Sequence, residues 1–590
     1  MAYHTDPYDN SIVLDGFEKG IADNPYAGIS DMRNCNIISV PGEASVLFST
    51  SKISPTNWNG TMTTSSAGGD TVTLDVGTIE SGQAIQFSVL SDVTKGIALD
   101  TTYWAVGSSG TYQLYDNYAR TSLVNITADG LTGTWATVNM GTPKYFATDG
   151  TYYWMIDSNG RVWSNLNTTS GTAGIFWWTY TGNKPNNNSS GQGIVYYQAS
   201  DGTGYIFAFS GQSIDYTPST LANVAWSYQW SPSAGTVGSW NANPTVVLKN
   251  TLNNHEALTA PDNSVYFCDG NYIGSFFPTD PTVAFVPTTK ATYTFDESPI
   301  LPCIDIAQCL TFLGTNLMIG GKRDVIYPWD TTSPTFSYPI LLAERNIQKM
   351  ITVNTNTYAL VGNRGRIYKT NGSQAELYKK IPDHISGTIE PYFTWGGLAS
   401  HKNQIYFGFS VTTNLGGTNN NYGGVWAIDV DTEALRLTNQ LSYGTYAGYA
   451  SAIIANTTGN PNGTGLFIGW DNGASGYGID TTVSNLYTNS QATIDFDLIP
   501  IGTFDKAKNF TRVEYKLNKP MVSGESVTIQ YRKDFSQTYT TILSDNTVGN
   551  YSSSGPVNFS NAQWIQLRVI LNGTNSSPSY TRLKEIRILN

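Results

Sequence analysis

One pattern returns along most of this 590-residue chain and restricts what it can fold into. A short apolar strand meets a polar turn, a second strand rich in aromatic residues follows, and that strand ends on Gly or Asp. One copy runs from Lys144 to Thr148, turns at Asp149-Gly150, continues from Thr151 to Ile156, turns again over Asp157-Ser158-Asn159-Gly160 and resumes at Arg161-Val162-Trp163. Further copies pair 193–198 with 205–209, 257–260 with 264–270, 310–314 with 317–321, 350–353 with 358–362, 400–409 with 424–429 and 465–470 with 477–480. A fainter early copy lies at 102–107 and 112–116. The copies recur about every 40–60 residues, the spacing of β-propeller blades. Each hairpin buries one face only against its neighbours, so a ring that closes on itself is the natural solution, and seven or so copies fit one. An array of β-sandwiches is the alternative.

The flanks read differently. Residues 1–90 open with a turn-rich, extended stretch, Gly16-Phe17-Glu18-Lys19-Gly20 through Asn24-Pro25, which predicts an N-terminal strap. From about Gln491 the strands alternate apolar and polar with period two: Ala492–Leu498, Phe510–Leu517, Ser526–Tyr531, Trp564–Leu571 and Leu583–Leu589. Such alternation marks sheets with one wet face and predicts a C-terminal β-sandwich over 491–590. The expected fold is all-β: a strap over 1–90, a β-propeller over 91–490 and the sandwich.

Composition agrees with many short strands and turns. Charged residues make up only 13%, about half the usual quarter, and aromatics another 13%, with 37 Tyr and 15 Trp. Thr, Tyr, Trp, Phe, Val and Ile favour pleated surfaces, while Asn, Gly, Ser and Asp favour tight turns. The net charge of −12 argues against a basic nucleic-acid groove, which needs clustered Lys and Arg. An acidic lumen would instead repel phosphates and let DNA slide. The four cysteines, Cys35, Cys268, Cys303 and Cys309, have no metal-ligand spacing and read as small buried hydrophobes. The polar N-terminus resembles no secretory signal, and no run of about 18 apolar residues predicts a membrane span.

Residues able to do chemistry are sparse. The histidines His4, His255, His384 and His401 form no metal-binding pair, and His255-Glu256 lacks a second His four residues on. No nucleophile elbow or phosphate loop is present; Gly321-Lys322 lacks the upstream glycines. Asp149-Gly150-Thr151, Asp201-Gly202-Thr203 and the 157–163 stretch resemble the Asp-box turns of sialidase propellers, which are hairpin turns rather than catalytic groups. Asp429-Val430-Asp431 is a weak calcium motif without further oxygen ligands. The reading therefore assigns no catalytic, cofactor-binding or metal residue and no cofactor, and it expects no enzyme. Two sets of residues are candidates for contact with other molecules. Trp177, Trp178, Trp226 and Trp230 could stack on sugars, or fill blade cores and interfaces. Gly416, Gly417, Asn420, Tyr422 and Gly423, in the Gly/Asn-rich loop at 415–424, are a candidate partner or gate loop, or a plain surface loop.

The arrangement resembles a known family at this point. Lys19-Gly20-Ile21, Asn24-Pro25, Met32-Arg33-Asn34-Cys35-Asn36 and Pro41-Gly42 are similar to the opening of tail nozzle proteins of short-tailed phages, also called tail tubular protein B. A second similarity covers Leu310–Gly321, Pro328-Trp329-Asp330, Phe336, Ile351-Thr352-Val353 and Ala359–Gly362. The chain departs from the family in lacking an Arg-Pro after Gly42. The resemblance implies a virion protein of the phage tail: a ring, usually of six copies, that conducts and gates DNA without sequence-specific binding and contacts an adaptor ring and fibres. A receptor- or glycan-binding tail or capsid-decorating protein is the second hypothesis, and a polysaccharide depolymerase working through a carboxylate pair is the third.

Overall fold

The computed structural model describes side chains over residues 11–15, 29–33, 43–47, 140–150, 152–163, 191–198, 204–209, 255–261, 264–275, 304–381, 396–409, 424–438, 449–456, 465–471, 476–482, 491–501, 510–533, 537–559, 562–573 and 582–589, with a few single positions between them. Some further strands are described as backbone.

Local chemistry sets the hairpins. In the turn after Tyr153–Asp157, the Asp157 carboxylate accepts hydrogen bonds from the backbone N–H groups of Asn159 and Arg161, both at 2.8 Å. Gly160 takes the left-handed conformation, φ 69°, that the tight turn demands. The chain therefore reverses in register, and Val162 pairs with Ile156.

Among the described strands, five separate four-stranded antiparallel sheets follow this plan, and two further four-stranded antiparallel units lie within one larger sheet. Their inner strands are Pro143–Thr148, Ser190–Gln198, Ala257–Thr259, Ala307–Leu313, Ile347–Val353, Tyr392–His401 and Tyr449–Asn456, numbered here as blades 1 to 7. Each inner strand packs on the next, and the seventh packs back on the first, so the ring closes as a seven-bladed β-propeller. The fourth strand of blade 7 is Thr50–Lys52, which pairs Lys52 with Asp480 and Thr50 with Thr482 and so staples the start of the chain to the last blade. The hairpin expected around 102–116 is present within a further sheet of four strands between Ala84–Ser88 and Ser122–Val124. That sheet is not among the seven, because the ring closes from blade 7 to blade 1 without it.

Aromatic side chains fill the seams. Trp154 of blade 1 stacks on Tyr196 of blade 2, Phe209 of blade 2 meets Phe267 of blade 3, Tyr266 of blade 3 meets Trp329 of blade 4, and Tyr153 of blade 1 meets Phe467 of blade 7. A buried ring removes about 150–250 Å² from water, worth roughly 4–6 kcal/mol gross before entropy is counted.

The end segments of the chain are interwoven with the propeller. Ser11–Leu14 pairs with Leu583–Leu589, which pairs in turn with Arg512–Leu517. Ile29–Arg33 lies antiparallel to Gln491–Phe496 and, through Arg33 and Leu437, parallel to Leu435–Leu437, the outer strand of blade 6. One sheet thus runs from the C-terminal strands through Ile29–Arg33 into blades 6 and 7 and out to Thr50–Lys52. Exposure alternates along Arg512–Leu517, with Val513, Tyr515 and Leu517 inward. These side chains join Ile12, Leu14, Met32, Ile494, Val569 and Ile586, together with Trp426 and Leu435 of blade 6, in one apolar core.

Candidate functional site in the axial cavity

The inner strands share an irregularity. In blades 1, 2, 4, 5 and 7 the pairing register slips near the start of the strand, leaving Lys144, Gln192, Gln308, Gln348 and Ser451 as the extra residues. Such bulges bend a strand and re-aim its side chains. In blade 3, Glu256 stands directly before the inner strand. All but Lys144 are nearly buried, and several bind the neighbouring blade. Gln348 Oε1 accepts from Phe393 N of blade 6 at 2.7 Å, while its Nε2 donates to Gly362 O at 3.1 Å. Gln308 Nε2 donates to Asn346 Oδ1 at 3.2 Å, between blades 4 and 5.

Inside this polar collar, three blades meet on the axis. Lys349 Nζ of blade 5 lies 2.5 Å from Glu256 Oε2 of blade 3 and 5.6 Å from the centre of the Tyr145 ring of blade 1. The ion pair is largely dry, with side-chain exposures of 12% for Lys349 and 8% for Glu256. Burial raises the pKa of Glu256, and the Lys349 ammonium partly offsets that rise. Burial also lifts the Tyr145 hydroxyl well above its usual range, helped by the Glu256 charge. The cavity around them is about 390 Å³, walled by Phe146, Ile194, Leu398 and Ile453 with Thr148 and Ser400 as hydroxyls. Across the ring the blades touch: a Cβ on Gly396 of blade 6 would run into the Lys144 carbonyl of blade 1. The chemistry available is that of a compensated charge pair in a cavity of mixed polar and apolar lining.

The cysteine expectation is met where it falls on described residues: Cys35, Cys268 and Cys309 are buried and free. Burial, with the nearby Glu256 charge in second place, pushes the Cys268 and Cys309 thiols upward, which suppresses thiolate. Cys303 lies outside the described residues. His255 is fully buried, and its Nδ1 sits 2.8 Å from Cys268 O and 4.0 Å from Asp269 Oδ1. Among the described residues no three of His, Cys, Asp and Glu gather as a metal site requires. Asp429 Oδ1 accepts from Asp431 N at 3.2 Å, Thr432 N at 2.8 Å and Thr432 Oγ1 at 2.9 Å, and Asp431 accepts from Asn403 Nδ2 at 2.6 Å. The 429–431 motif is thus occupied as a turn cap.

Trp177 and Trp178 fall on the outer strand of blade 1, opposite Leu166 and Asn165. Trp226 and Trp230 fall on the third strand of blade 2, opposite Ala208 and Gly204. Their side chains lie outside the described residues, as do Gly416, Gly417, Asn420, Tyr422 and Gly423, which connect the second and third strands of blade 6. The sequence reading missed the Tyr145–Glu256–Lys349 cluster. Its only linear signal is a polar residue placed at or just before the start of an apolar inner strand.

No known family profile matches the chain, and no curated protein is significantly similar to it. Among solved structures, the β-propeller domain of Cps50 (Swd1) from Myceliophteria thermophila is similar at 12% identity and a TM-score of 0.38, over 59% of this chain and 98% of that one. The computationally designed Ika8 protein is similar at 10% identity and a TM-score of 0.36, over 68% of this chain and 98% of that one. Among the described residues no helix is long and apolar enough to cross a membrane.

Proposed function

We propose that this chain is a structural protein of a tailed-phage particle, a nozzle-like ring component at the distal tail that forms a conduit for DNA and a platform for adaptor and fibre proteins. One observation carries the structural part of this reading. The N-terminal segment passes through the C-terminal sheet, along blade 6 and into blade 7, so that ring and C-terminal strands share one continuous sheet. In this reading residues 1–90 serve as a strap and 491–590 as a sandwich, and force on one unit is carried to the other through backbone hydrogen bonds rather than a hinge. The role is mechanical, and the chain acts as a scaffold rather than as an enzyme.

The axis of a single propeller is not the conduit in this proposal. Lys349 spans it to reach Glu256 and Tyr145, whereas the major groove alone of a DNA duplex is about 12 Å wide. DNA passes between copies arranged in a closed ring, and the lumen is formed by their surfaces. The acidic total charge suits sliding without retention.

Electron microscopy of particles carrying the chain, and of the purified chain, tests this. A cyclic ring on the tail axis with a duplex-wide lumen is expected. A monomer or trimer on a fibre or on the capsid would overturn it and favour receptor binding.

A further inference from the structure

Blades 4 and 5 differ in charge from the rest of the chain. Residues 300–381 hold nine Lys and Arg against five Asp and Glu, a net of +4 in a chain of −12, which leaves −16 for everything else. Several of these cations converge on one face. The turn after Asn316–Gly321 carries Lys322 and Arg323, the link into blade 5 carries Arg345, and the turn after Asn356–Val361 carries Arg364. Backbone hydrogen bonds lock the three segments side by side: Asn346 N to Lys322 O at 2.9 Å, and Gly362 N to Asn346 O at 2.9 Å. Lys322, Arg345 and Arg364 are exposed. Nearby acids are in part already engaged: Glu344 pairs with Arg366 at 3.4 Å, and buried Asp305 accepts from Arg323 N and Tyr327 Oη.

Two apolar side chains are exposed in segments beside these turns. Leu341 is 69% and Ile304 62% exposed. Leu342 N bonds Asp324 O, and Lys322 N bonds Ile306 O, which places both residues beside the basic turns. Exposed apolar side chains rimmed by charge mark association surfaces.

We propose that this face docks onto the acidic surface of a second copy of this chain, head to tail. Charge complementarity selects the partner, since the remaining residues of each copy carry the opposite sign. In the ring reading the contact joins unlike surfaces and repeats from copy to copy, and such heterologous contacts build rings when they close. Leu341 and Ile304 favour a protein over a nucleic acid, whose phosphates would use the cations and leave the apolar side chains wet. The inference deepens the ring reading above and rests on it.

The test uses the purified full-length chain in sedimentation velocity and negative-stain microscopy at low and high salt. It compares the wild type, the triple reversal Lys322→Glu/Arg345→Glu/Arg364→Glu, and Leu341→Ser, with circular dichroism melts as a check on folding. A wild-type ring is expected that weakens with salt. In each variant the dissociation constant should rise at least about tenfold while the melt is retained. A ring that persists in the triple reversal overturns the docking face and leaves the ring reading standing. A two-fold dimer that depends on the face, or binding of a random-sequence duplex that depends on it, also overturns it. A wild-type chain that stays monomeric under all conditions overturns both.

Discussion

Replacing Lys349 by Met isolates the axial charge pair. The substitution keeps most of the aliphatic volume and leaves Glu256 without its cation in a site where only 8% of its side chain is exposed. Breaking a buried pair from one side costs about 3–5 kcal/mol, because the remaining charge stays desolvated. At roughly 2 °C per kcal/mol for a large cooperative unit, the ring transition should fall by about 6–10 °C at neutral pH. The pH dependence has a definite sign. The folded-state pKa of Glu256 already lies above its usual 4.5, chiefly through burial. Losing Lys349, which pulls it down, raises it further. Stability linked to protonated Glu256 is fully present below 4.5 and is lost as pH rises through the folded value. The deficit of Lys349→Met should therefore be small in acid and grow as pH rises from about 4.5. Adding Glu256→Gln should recover most of the loss at neutral pH. Scanning calorimetry across pH, with hydrogen exchange at Ile347–Val353, measures both. A loss below about 1 kcal/mol that does not change with pH would refute the reasoning, since it would mean that water in the cavity screens the pair.

Other positions give independent checks. Asp157→Ala removes the acceptor of Gly141 N, Asn159 N, Arg161 N and Trp163 Nε1. The two fully buried donors, Gly141 N and Trp163 Nε1, at roughly 1.5–3 kcal/mol each, set an expected cost of about 3–6 kcal/mol, and Trp163 fluorescence should change. Gly396→Ala forces a methyl into the Lys144 carbonyl between two backbones that cannot yield, so a loss of about 3 kcal/mol or more is expected in thermal unfolding. Deleting residues 1–52 removes the fourth strand of blade 7 and the Ile12, Leu14 and Met32 side chains from the core, so hydrogen exchange at Tyr477–Thr482 should accelerate strongly. For Asp545, burial alone would raise the pKa, but hydrogen bonds from Tyr515, Thr547 and Asn550 outweigh it and hold the carboxyl at about 2. Its stabilisation is present above the usual 3.8 and lost as pH falls toward 2. Tyr515→Phe should cost about 1.5–3 kcal/mol at neutral pH and move acid unfolding to higher pH.

Much of the fold is legible along the chain because it depends on near neighbours. Asp157-Ser158-Asn159-Gly160 sets a hairpin whatever surrounds it, since the carboxylate and the left-handed glycine act within four residues. The second and third strands of most blades were visible for this reason. The inner strands Tyr392–His401 and Tyr449–Asn456 were less so, and Gly396, Gly397 and Ala452 explain why. Small residues there let blades 6 and 7 approach until their inner strands pair in parallel, which weakens the apolar signal that marks a strand.

The period, the turn chemistry and the aromatic content by themselves determined an all-β chain of repeated antiparallel hairpins with alternating strands at its C-terminal end. Only the tertiary structure decided which hairpins enter the ring, that Thr50–Lys52 completes the last blade, and that Ile29–Arg33 joins blade 6 to the C-terminal sheet. It alone brought Tyr145, Glu256 and Lys349 together from three blades. Local pattern reports which face of a strand is buried. Ring closure, edge pairing and an axial charge pair depend on residues hundreds of positions apart, and their geometry exists only once every blade is in place.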